Sequence, residues 1–255
     1  MRLTVLGRSP ARPNPGEACA GYLVEGGSAR LLVDIGPGVV AQLLRVHHPD
    51  ELTAIVISHM HADHMLDLVT LRWIYPWRSL PPDERLIVWL PPGTADQMLE
   101  LARGVGNARH FESAFRLREY DGTSPIGFDG LRLTPVETQH YIPCWGFRAE
   151  ADGRRFGYSA DSAPCGGLLD LAESTDLFLC EATLRTLDED AQPPEPRGHV
   201  LAAEAGEAAK ASGARRLILT HLPIDDDGGA DAQREASEAF GAEAEIAEQM
   251  RAYDV

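Results

Sequence analysis

One short segment constrains this chain more than any other part of it. Residues 58–64 read Ser-His-Met-His-Ala-Asp-His and place three histidines and an aspartate within six positions. The segment directly follows residues 54–57, an apolar, β-branched run that is typical of a strand buried on both faces. Imidazole and carboxylate groups are ligands of zinc, manganese and iron. Since the chain has only nine histidines in 255 residues, this cluster indicates a metal site.

The arrangement of this segment allows for two metal ions. In an irregular loop, alternate residues such as His59 and His61 can face one ion, and the two ligands that follow can turn towards a second. A similar pattern occurs near the other end of the chain, where an apolar strand at 217–219 runs into Thr220 and His221. Because polar groups at strand ends can converge on a rigid scaffold, the two halves are expected to contribute to one cleft.

The spacing of apolar and turn residues predicts an α/β protein. Strands occur in both halves with helices between them, which favours a layered α/β sandwich. No flexible linker is evident, and we expect a single domain over residues 1–255. The predicted strands are 3–6, 22–25, 31–34, 54–57, 86–90, 115–120, 131–137, 146–150, 155–158, 176–180 and 216–220, and the predicted helices are 39–46, 65–77, 94–103, 199–212 and 230–240.

The charge of the chain restricts its partners. Lys and Arg number 23 against 39 Asp and Glu, which gives a formal net charge of −16. Nucleic-acid binding depends on Lys and Arg that neutralise phosphates, so an acidic surface disfavours an extended RNA or DNA partner. A small anion held by metal ions remains compatible with this charge.

No segment has the features of a membrane span or an export signal. The longest apolar runs have the length of strands, and a strand-like segment follows Met1 without a small-residue cleavage site. We therefore expect a cytoplasmic protein with no membrane partner. The four cysteines form no C-x-x-C pair and are expected to be buried free thiols; they are Cys19, Cys144, Cys165 and Cys180.

Other polar and aromatic segments have ordinary structural interpretations. The histidine pair 47–48 precedes a proline and is assigned to a surface turn, as is His110. The acidic run 225–227 is assigned to a solvated loop. Trp73 and Trp77 either pack in the core or form a wall against which a base or a partner subunit packs.

The pattern H-x-H-x-D-H resembles the signature of the metallo-β-lactamase superfamily. The other ligand positions of that family follow in order, with His140 and Asp161 after predicted strands and His221 after the last one. The resemblance implies a four-layer αβ/βα sandwich and two Zn²⁺ ions, with Mn²⁺ as an alternative. It implies that the first metal is held by His59, His61 and His140, that the second is held by Asp63, His64 and His221, and that Asp161 bridges them.

Two positions narrow the chemistry that the resemblance implies. Asp161 stands where zinc β-lactamases of the best-known subclass carry cysteine. That difference, together with the lack of a secretion signal, disfavours an antibiotic-hydrolysing enzyme. His61 stands where flavodiiron oxidoreductases carry glutamate, which favours a hydrolytic zinc pair over iron.

A second stretch is similar to the ribonuclease Z branch of that family. It contains a Glu-Ala-Thr element that begins at Glu181 and a Gly-His motif at 198–199 that opens the predicted helix 199–212. The resemblance implies that His199 is the general acid, that Glu181 orients it and that Asp63 orients the nucleophile. The alternative is a histidine that only caps or packs the helix. Since the branch is usually dimeric, the resemblance also implies a homodimer.

The chain departs from long-armed ribonuclease Z enzymes, which carry a tRNA-gripping arm between the third-histidine and bridging-aspartate motifs. Only 20 residues separate His140 from Asp161, and two predicted strands use most of them. Armless relatives include phosphodiesterases that act on small cyclic phosphates. Among these is an actinobacterial group that cleaves cyclic nucleotides, which the segments 36–38 and 73–77 resemble.

We therefore expect a dinuclear-zinc phosphodiesterase that cleaves a small or cyclic-nucleotide phosphodiester by metal-activated hydroxide. The first alternative is a ribonuclease Z-type endonuclease that processes tRNA 3′ ends. The second is a glyoxalase-II-like or lactonase acyl hydrolase, although only 34 residues follow His221, which is short for a glutathione-binding segment. The third is a metal-free binding protein on the same fold.

Overall fold

The computed structural model describes residues 1–76, 80–187, 197–224 and 229–255. The first sheet has the order β14-β1-β2-β3-β4-β5-β6 and the second the order β13-β12-β11-β10-β9-β8-β7. The strands are β1 (Arg2–Gly7), β2 (Gly21–Gly26), β3 (Ala29–Val33), β4 (Ala54–Val56), β5 (Leu86–Leu90), β6 (Phe115–Glu119), β7 (Ile126–Phe128), β8 (Leu131–Thr138), β9 (Cys144–Ala151), β10 (Arg154–Tyr158), β11 (Leu177–Glu181), β12 (Leu217–Thr220), β13 (Ala244–Ile246) and β14 (Ala252–Asp254). The helices are α1 (Val39–Leu43), α2 (Ala62–Met65), α3 (Asp67–Leu71), α4 (Ala95–Gly104), α5 (Gly166–Ala172), α6 (Ala202–Ala211) and α7 (Ala230–Phe240).

Both sheets are mixed, and their parallel strands bring several strand ends to the same edge. In the first sheet, β3, β4, β5 and β6 are parallel neighbours. In the second, β10, β11, β12 and β13 are parallel neighbours, while β9 is antiparallel to both β8 and β10. Because the carboxyl ends of parallel strands lie on one side of a sheet, segments that follow them can share a cleft.

Alternation along the strands explains the layers. In β3, Leu31 and Val33 belong to the core between the sheets, whereas Leu32 faces the core that includes α1, α3 and α4. In β11, Leu179 faces the other sheet, whereas Phe178 packs in the core that includes α5, α6 and α7. Since successive side chains of a strand point to opposite faces, both sheets are buried on two sides. This arrangement confirms the predicted four-layer αβ/βα sandwich.

Several elements differ from the sequence-based predictions. The helix predicted at 199–212 begins only at Ala202, because the preceding residues run extended beside the segment that follows β11. The helix predicted at 65–77 is divided into α2, α3 and a short 3-10 helix at Arg72–Ile74. Elements β7, β13, β14 and α5 were not predicted. None of the helices in the described ranges is long and apolar enough to cross a membrane.

The remaining polar and aromatic predictions have mixed outcomes. His110 is buried, and its assignment to the surface is wrong. Its Nε2 donates a hydrogen bond to the Val69 carbonyl oxygen, and its ring contacts that of Trp73. His48 is exposed, as expected of a turn residue. Three of the four free cysteines are buried and Cys165 is half-buried. Trp77 and the acidic run 225–227 lie outside the described residues.

Candidate metal centre

The ends of strands from both sheets deliver polar side chains to one buried region. The loop after β4 and the short helix α2 carry the first four of these residues, and the segments after β8, β10 and β12 carry the others. The structure brings together all seven residues that the sequence pattern indicates. They form two groups that share Asp161: His59, His61, His140 and Asp161, and Asp63, His64, His221 and Asp161.

The first group has the dimensions of a tetrahedral metal site. The Nδ1 atom of His61 lies 3.1 Å from Nε2 of His59 and 3.0 Å from Nε2 of His140. The Oδ2 atom of Asp161 lies 3.7 Å from each of those two Nε2 atoms. A tetrahedron with metal–ligand bonds of 2.0–2.1 Å has edges of roughly 3.3 Å. The measured distances lie on both sides of that value, so the four atoms could hold one zinc ion.

The second group has similar dimensions and uses the other oxygen of Asp161. The Nε2 atom of His64 lies 3.3 Å from both Nε2 of His221 and Oδ1 of Asp161. The Oδ2 atom of Asp63 lies 3.1 Å from Nε2 of His221 and 3.6 Å from Nε2 of His64. Asp161 therefore directs one carboxylate oxygen at each group.

An orphaned oxygen shows that this donor set suits a cation. Asp161 is 2% exposed, and its Oδ1 atom is buried without a hydrogen-bond partner. A buried carboxylate oxygen with no partner is costly, and a bound cation removes that cost. The imidazole and carboxylate donors match the ligands that zinc and manganese accept.

The outer nitrogens of four cluster histidines are also engaged in hydrogen bonds. When Nδ1 of a ring donates its proton outwards, Nε2 keeps a lone pair that can bind a metal. The pairs are His59 Nδ1 with Ser58 Oγ at 3.0 Å, His64 Nδ1 with Asp34 Oδ2 at 2.8 Å, His140 Nδ1 with the Gly198 carbonyl oxygen at 2.8 Å, and His221 Nδ1 with Thr183 Oγ at 2.8 Å.

Two of these acceptors are hydroxyls whose own protons point elsewhere. Ser58 Oγ donates to Asp34 Oδ2 at 2.8 Å, and Thr183 Oγ donates to the His221 carbonyl oxygen at 2.9 Å. Each hydroxyl must therefore accept from the adjacent imidazole. This assigns the Nδ1–H tautomer to His59 and His221 and leaves Nε2 of both rings facing the clusters.

Asp34 is a supporting residue that the sequence analysis missed. Its buried carboxylate accepts hydrogen bonds from the Ser58 main chain at 2.7 Å and from the Tyr158 hydroxyl at 2.8 Å, besides its contact with His64. The sequence feature that could have identified Asp34 is a charged residue at the end of the apolar run Leu31-Leu32-Val33. Tyr158 gave no such signal, since its partner is distant in the chain, and Thr183 was noted only as part of the Glu-Ala-Thr element, with no role of its own.

Burial and charge shape the protonation of the cluster. Burial lowers the pKa of His59 well below its usual value, and it also lowers the pKa of His61 and of His140. Those rings are therefore neutral at pH 7 and can donate their lone pairs. Burial opposes charge on His64 too, but the carboxylates of Asp161 and Asp34 outweigh it and raise the pKa of His64 well above its usual value.

The carboxylates of the cluster remain ionised. Burial by itself raises the pKa of Asp63, but the hydrogen bond and charge of His221 and the charge of His64 outweigh it, and the pKa falls to about 2. For Asp161 the neighbouring histidines, His221 and His64 foremost, similarly overcome burial and lower the pKa well below its usual value. The cluster thus presents anionic oxygens beside the neutral imidazoles of His59, His61 and His140.

A close backbone contact fixes the position of the loop that carries four of the candidate ligands. A Cβ atom built on Gly36 would lie 1.8 Å from the Asp63 carbonyl oxygen, so only glycine fits there. The Ile35 main-chain N–H donates to the His64 carbonyl oxygen at 2.7 Å, and Asp67 N–H donates back to Ile35 at 3.0 Å. The chain after β3 therefore holds helix α2, which carries Asp63 and His64.

His199 and Glu181 form a pair beside the two clusters. Glu181 is fully buried, and its Oε1 atom lies 2.9 Å from Nδ1 of His199 while it accepts the Ser162 main-chain N–H at 2.7 Å. The His199 ring lies 4.9 Å from the His140 ring and 5.9 Å from the His221 ring, measured between centroids. His199 therefore lies next to one residue from each cluster.

Known proteins resemble this chain over most of its length. The model of the beta-lactamase superfamily domain matches residues 29–222. An uncharacterized protein of Mycobacterium leprae is 32% identical over 229 residues, which cover 88% of this chain and 78% of the relative. The probable metallo-hydrolase YhfI of Bacillus subtilis is 30% identical over 251 residues, which cover 97% of this chain and 97% of the relative. The crystal structure of YhfI superposes on this chain with a TM-score of 0.84 and 26% sequence identity, and the superposition covers 99% of this chain and 98% of YhfI. A ribonuclease Z of Halorubrum lacusprofundi is 27% identical over 299 residues, 95% of this chain and 93% of the relative.

Proposed function

The chain belongs to the beta-lactamase superfamily and is a metal-dependent hydrolase, and from that premise we propose that it is a dinuclear-zinc phosphodiesterase acting on a small or cyclic-nucleotide phosphodiester. The observation that carries this proposal is the pair of ligand groups that share Asp161, with His199 and Glu181 next to both. A second ligand group beside the first is typical of enzymes that stabilise both the attacking and the leaving oxygen.

We assign the metal-binding roles to the two groups described above. His59, His61 and His140 would hold one ion, Asp63, His64 and His221 the other, and Asp161 both. When bound, two zinc ions supply a nucleophile from water at neutral pH and neutralise charge on the phosphoryl oxygens, and the same ligands suit Mn²⁺. In this assignment Asp63 also orients the nucleophile.

The protein side chains supply the proton for the leaving group. Glu181 accepts from Nδ1 of His199, which fixes the ring and leaves Nε2 to carry a proton to the departing oxygen. A buried carboxylate that also accepts two main-chain N–H groups, from Ser162 and Thr183, is a rigid support for this ring. An alkoxide that leaves phosphorus gains much from such a proton.

Two observations favour a small substrate over tRNA. The interval from His140 to Asp161 consists largely of β9 and β10, a hairpin whose turn is Asp152-Gly153, so no arm extends from it. The net charge of −16 opposes the phosphate contacts that RNA binding needs. The ribonuclease Z relative supports phosphodiester chemistry in general, because ribonucleases cleave phosphodiester bonds.

We also propose a single-domain, cytoplasmic homodimer. The homodimer rests on the resemblance to the ribonuclease Z branch, and the exposed apolar side chains of Trp73 and Leu66 are candidates for its subunit contact.

A substrate panel tests the proposal. Zinc-loaded protein is assayed with bis-p-nitrophenyl phosphate, cyclic mononucleotides, pre-tRNA, a thioester and a lactone, in low and moderate salt. We expect turnover of the small diesters to exceed that of pre-tRNA, with little activity on the acyl substrates. Efficient, salt-sensitive 3′ processing of pre-tRNA would point to the endonuclease instead, and preferred cleavage of the thioester or lactone would point to an acyl hydrolase.

A further inference from the structure

We propose that Tyr141 selects the organic group of the substrate, by stacking its ring on a planar aromatic group such as a nucleobase; this inference rests on the function proposed above. Tyr141 directly follows His140, and 43% of its surface is exposed. Its ring centroid lies 4.8 Å from the His140 ring and 5.7 Å from the His199 ring. An exposed aromatic ring therefore adjoins both the first cluster and the proton donor.

The Tyr141 ring packs against the backbone at Gly198. A Cβ atom built on Gly198 would lie 2.6 Å from Cε2 and Cζ of Tyr141, so the ring lies close to the backbone in a way that only glycine allows. That backbone is itself anchored, because the Gly198 carbonyl accepts from His140 and the Arg197 carbonyl accepts from the Gln139 amide at 3.3 Å. A ring that is already immobilised loses little entropy when a second ring stacks on it.

The position of the Tyr141 ring indicates that stacking would occur on the leaving-group side of the substrate. His199 is assigned to the departing oxygen, and the Tyr141 ring is its direct neighbour. A group attached through a sugar to that oxygen lies within reach of Tyr141. In a cyclic nucleotide both ester oxygens belong to one nucleoside, so the base is carried to this side.

Stacking fits the charges of this region better than ionic recognition does. Arg197 is paired with Glu204 at 2.8 Å, and Arg185 donates to the Pro223 carbonyl oxygen at 2.8 Å. The chain carries a net charge of −16, which disfavours a substrate with several negative charges. Stacking on an aromatic side chain requires only a π-face, which every base has. We therefore expect the enzyme to accept nucleotides with different bases and to discriminate against esters that have none.

The test compares two substrates with the same reacting group, 3′,5′-cyclic AMP and the matching cyclic ribose phosphate that lacks the base. With zinc-loaded protein, Tyr141→Ala should raise KM for cyclic AMP about 10-fold, within the usual range for loss of one stacked base, and should change KM for the abasic ester little. Tyr141→Phe and Tyr141→Trp should retain the preference. Leu44→Ala removes an equally exposed apolar side chain after α1 and should leave both constants unchanged.

Four results would overturn the inference. Equal losses on both substrates, or loss of zinc from Tyr141→Ala, would mean that the ring only supports His140. A Tyr141→Phe variant as impaired as Tyr141→Ala would assign the effect to the hydroxyl. If the wild-type protein turns over neither substrate, the proposed function fails, and calorimetric binding of AMP then decides the stacking. Weaker binding to Tyr141→Ala supports it, and unchanged binding refutes it.

Discussion

Among single residues, Asp161 is the one that belongs to both candidate ligand groups. Its two carboxylate oxygens face different ligand groups, and one of them lacks any hydrogen-bond partner. Replacement of another ligand would leave three donors in one group and four in the other. Replacement of Asp161 removes a donor from both.

We predict that Asp161→Ala loses most of its metal. Wild-type protein should hold about two zinc equivalents after dialysis, the occupancy of a two-metal hydrolase, and the variant should hold nearly none. Elemental analysis of protein that has been stripped and reloaded measures this. Asp83→Ala, which removes an exposed carboxylate, is the control. Wild-type protein that takes up no metal on titration would refute the assignment of both groups.

His199 is predicted to act on the leaving group. His199→Ala should reduce turnover of an alkyl phosphodiester about 10²-fold or more, whereas an aryl phosphodiester with a good leaving group should lose far less. Glu181→Ala should give a weaker version of the same pattern, because Glu181 contacts His199 and not the substrate. Rates on both substrates are measured together with metal content.

The possible outcomes for His199 separate three roles. Selective loss on the alkyl ester with full metal content supports a general acid. Equal losses on both esters would show a role in binding or folding. Loss of zinc would show that His199 is a ligand, a result that its proximity to His221 makes worth testing.

At the level of secondary-structure elements, the chain between β3 and α1 determines where α2 lies. Gly36 has no side chain that could separate its backbone from the Asp63 carbonyl oxygen, and Ile35 bonds to His64 on the same side. Helix α2 is only four residues long and cannot hold its own position. The positions of Asp63 and His64, the two candidate ligands on this helix, therefore depend on this contact.

We predict that Gly36→Ala destabilises the protein by about 2 kcal/mol or more, as overpacking against backbone does, and weakens zinc binding. Urea unfolding and zinc titration measure the two effects. Gly127→Ala is the matched control, because a Cβ atom there meets nothing within 4 Å. If both substitutions cost equally little, the close contact does not position the loop.

For the whole molecule, the buried histidines make stability depend on pH. The pKa values of His59, His61, His140 and His110 are lowered, chiefly by burial, so these rings bind fewer protons when folded than when unfolded. Their contribution to the free energy of unfolding is present above the unfolded histidine pKa of about 6.5 and decreases as the pH falls below it. His64, whose pKa is raised, contributes in the opposite direction.

We predict that metal-free protein has a lower urea midpoint at pH 5 than at pH 7.5, because the pKa shifts of four histidines act in that direction and the shift of His64 acts against it. The carboxylate contributions of Asp63 and Asp161 are retained over this range, because both pKa values are lowered. With zinc added, the urea midpoint should fall more steeply between pH 7.5 and pH 5, because protons compete with the metal for imidazole. A midpoint that is unchanged or higher at pH 5 would contradict the prediction.

The sequence by itself predicted the layered fold and the seven residues of the candidate metal centre. The seven candidate ligands could be identified in order, because each follows a strand whose apolar pattern is visible locally. The same patterns predicted most strands of both sheets, since burial on two faces requires continuous apolar runs. These inferences need only local information or a recognisable motif.

The tertiary structure decided what depends on partners distant in the chain. Asp34 became a support for His64, and Tyr158 a partner of Asp34, through contacts that span 30 and 124 residues. Strands β13 and β14 are three residues long and exist because β12 and β1 offer unpaired edges. Tyr141 adjoins His199 only because the segment at 197–200 packs beside it. No local pattern encodes such contacts, because their energy arises only when the folded chain brings the partners together.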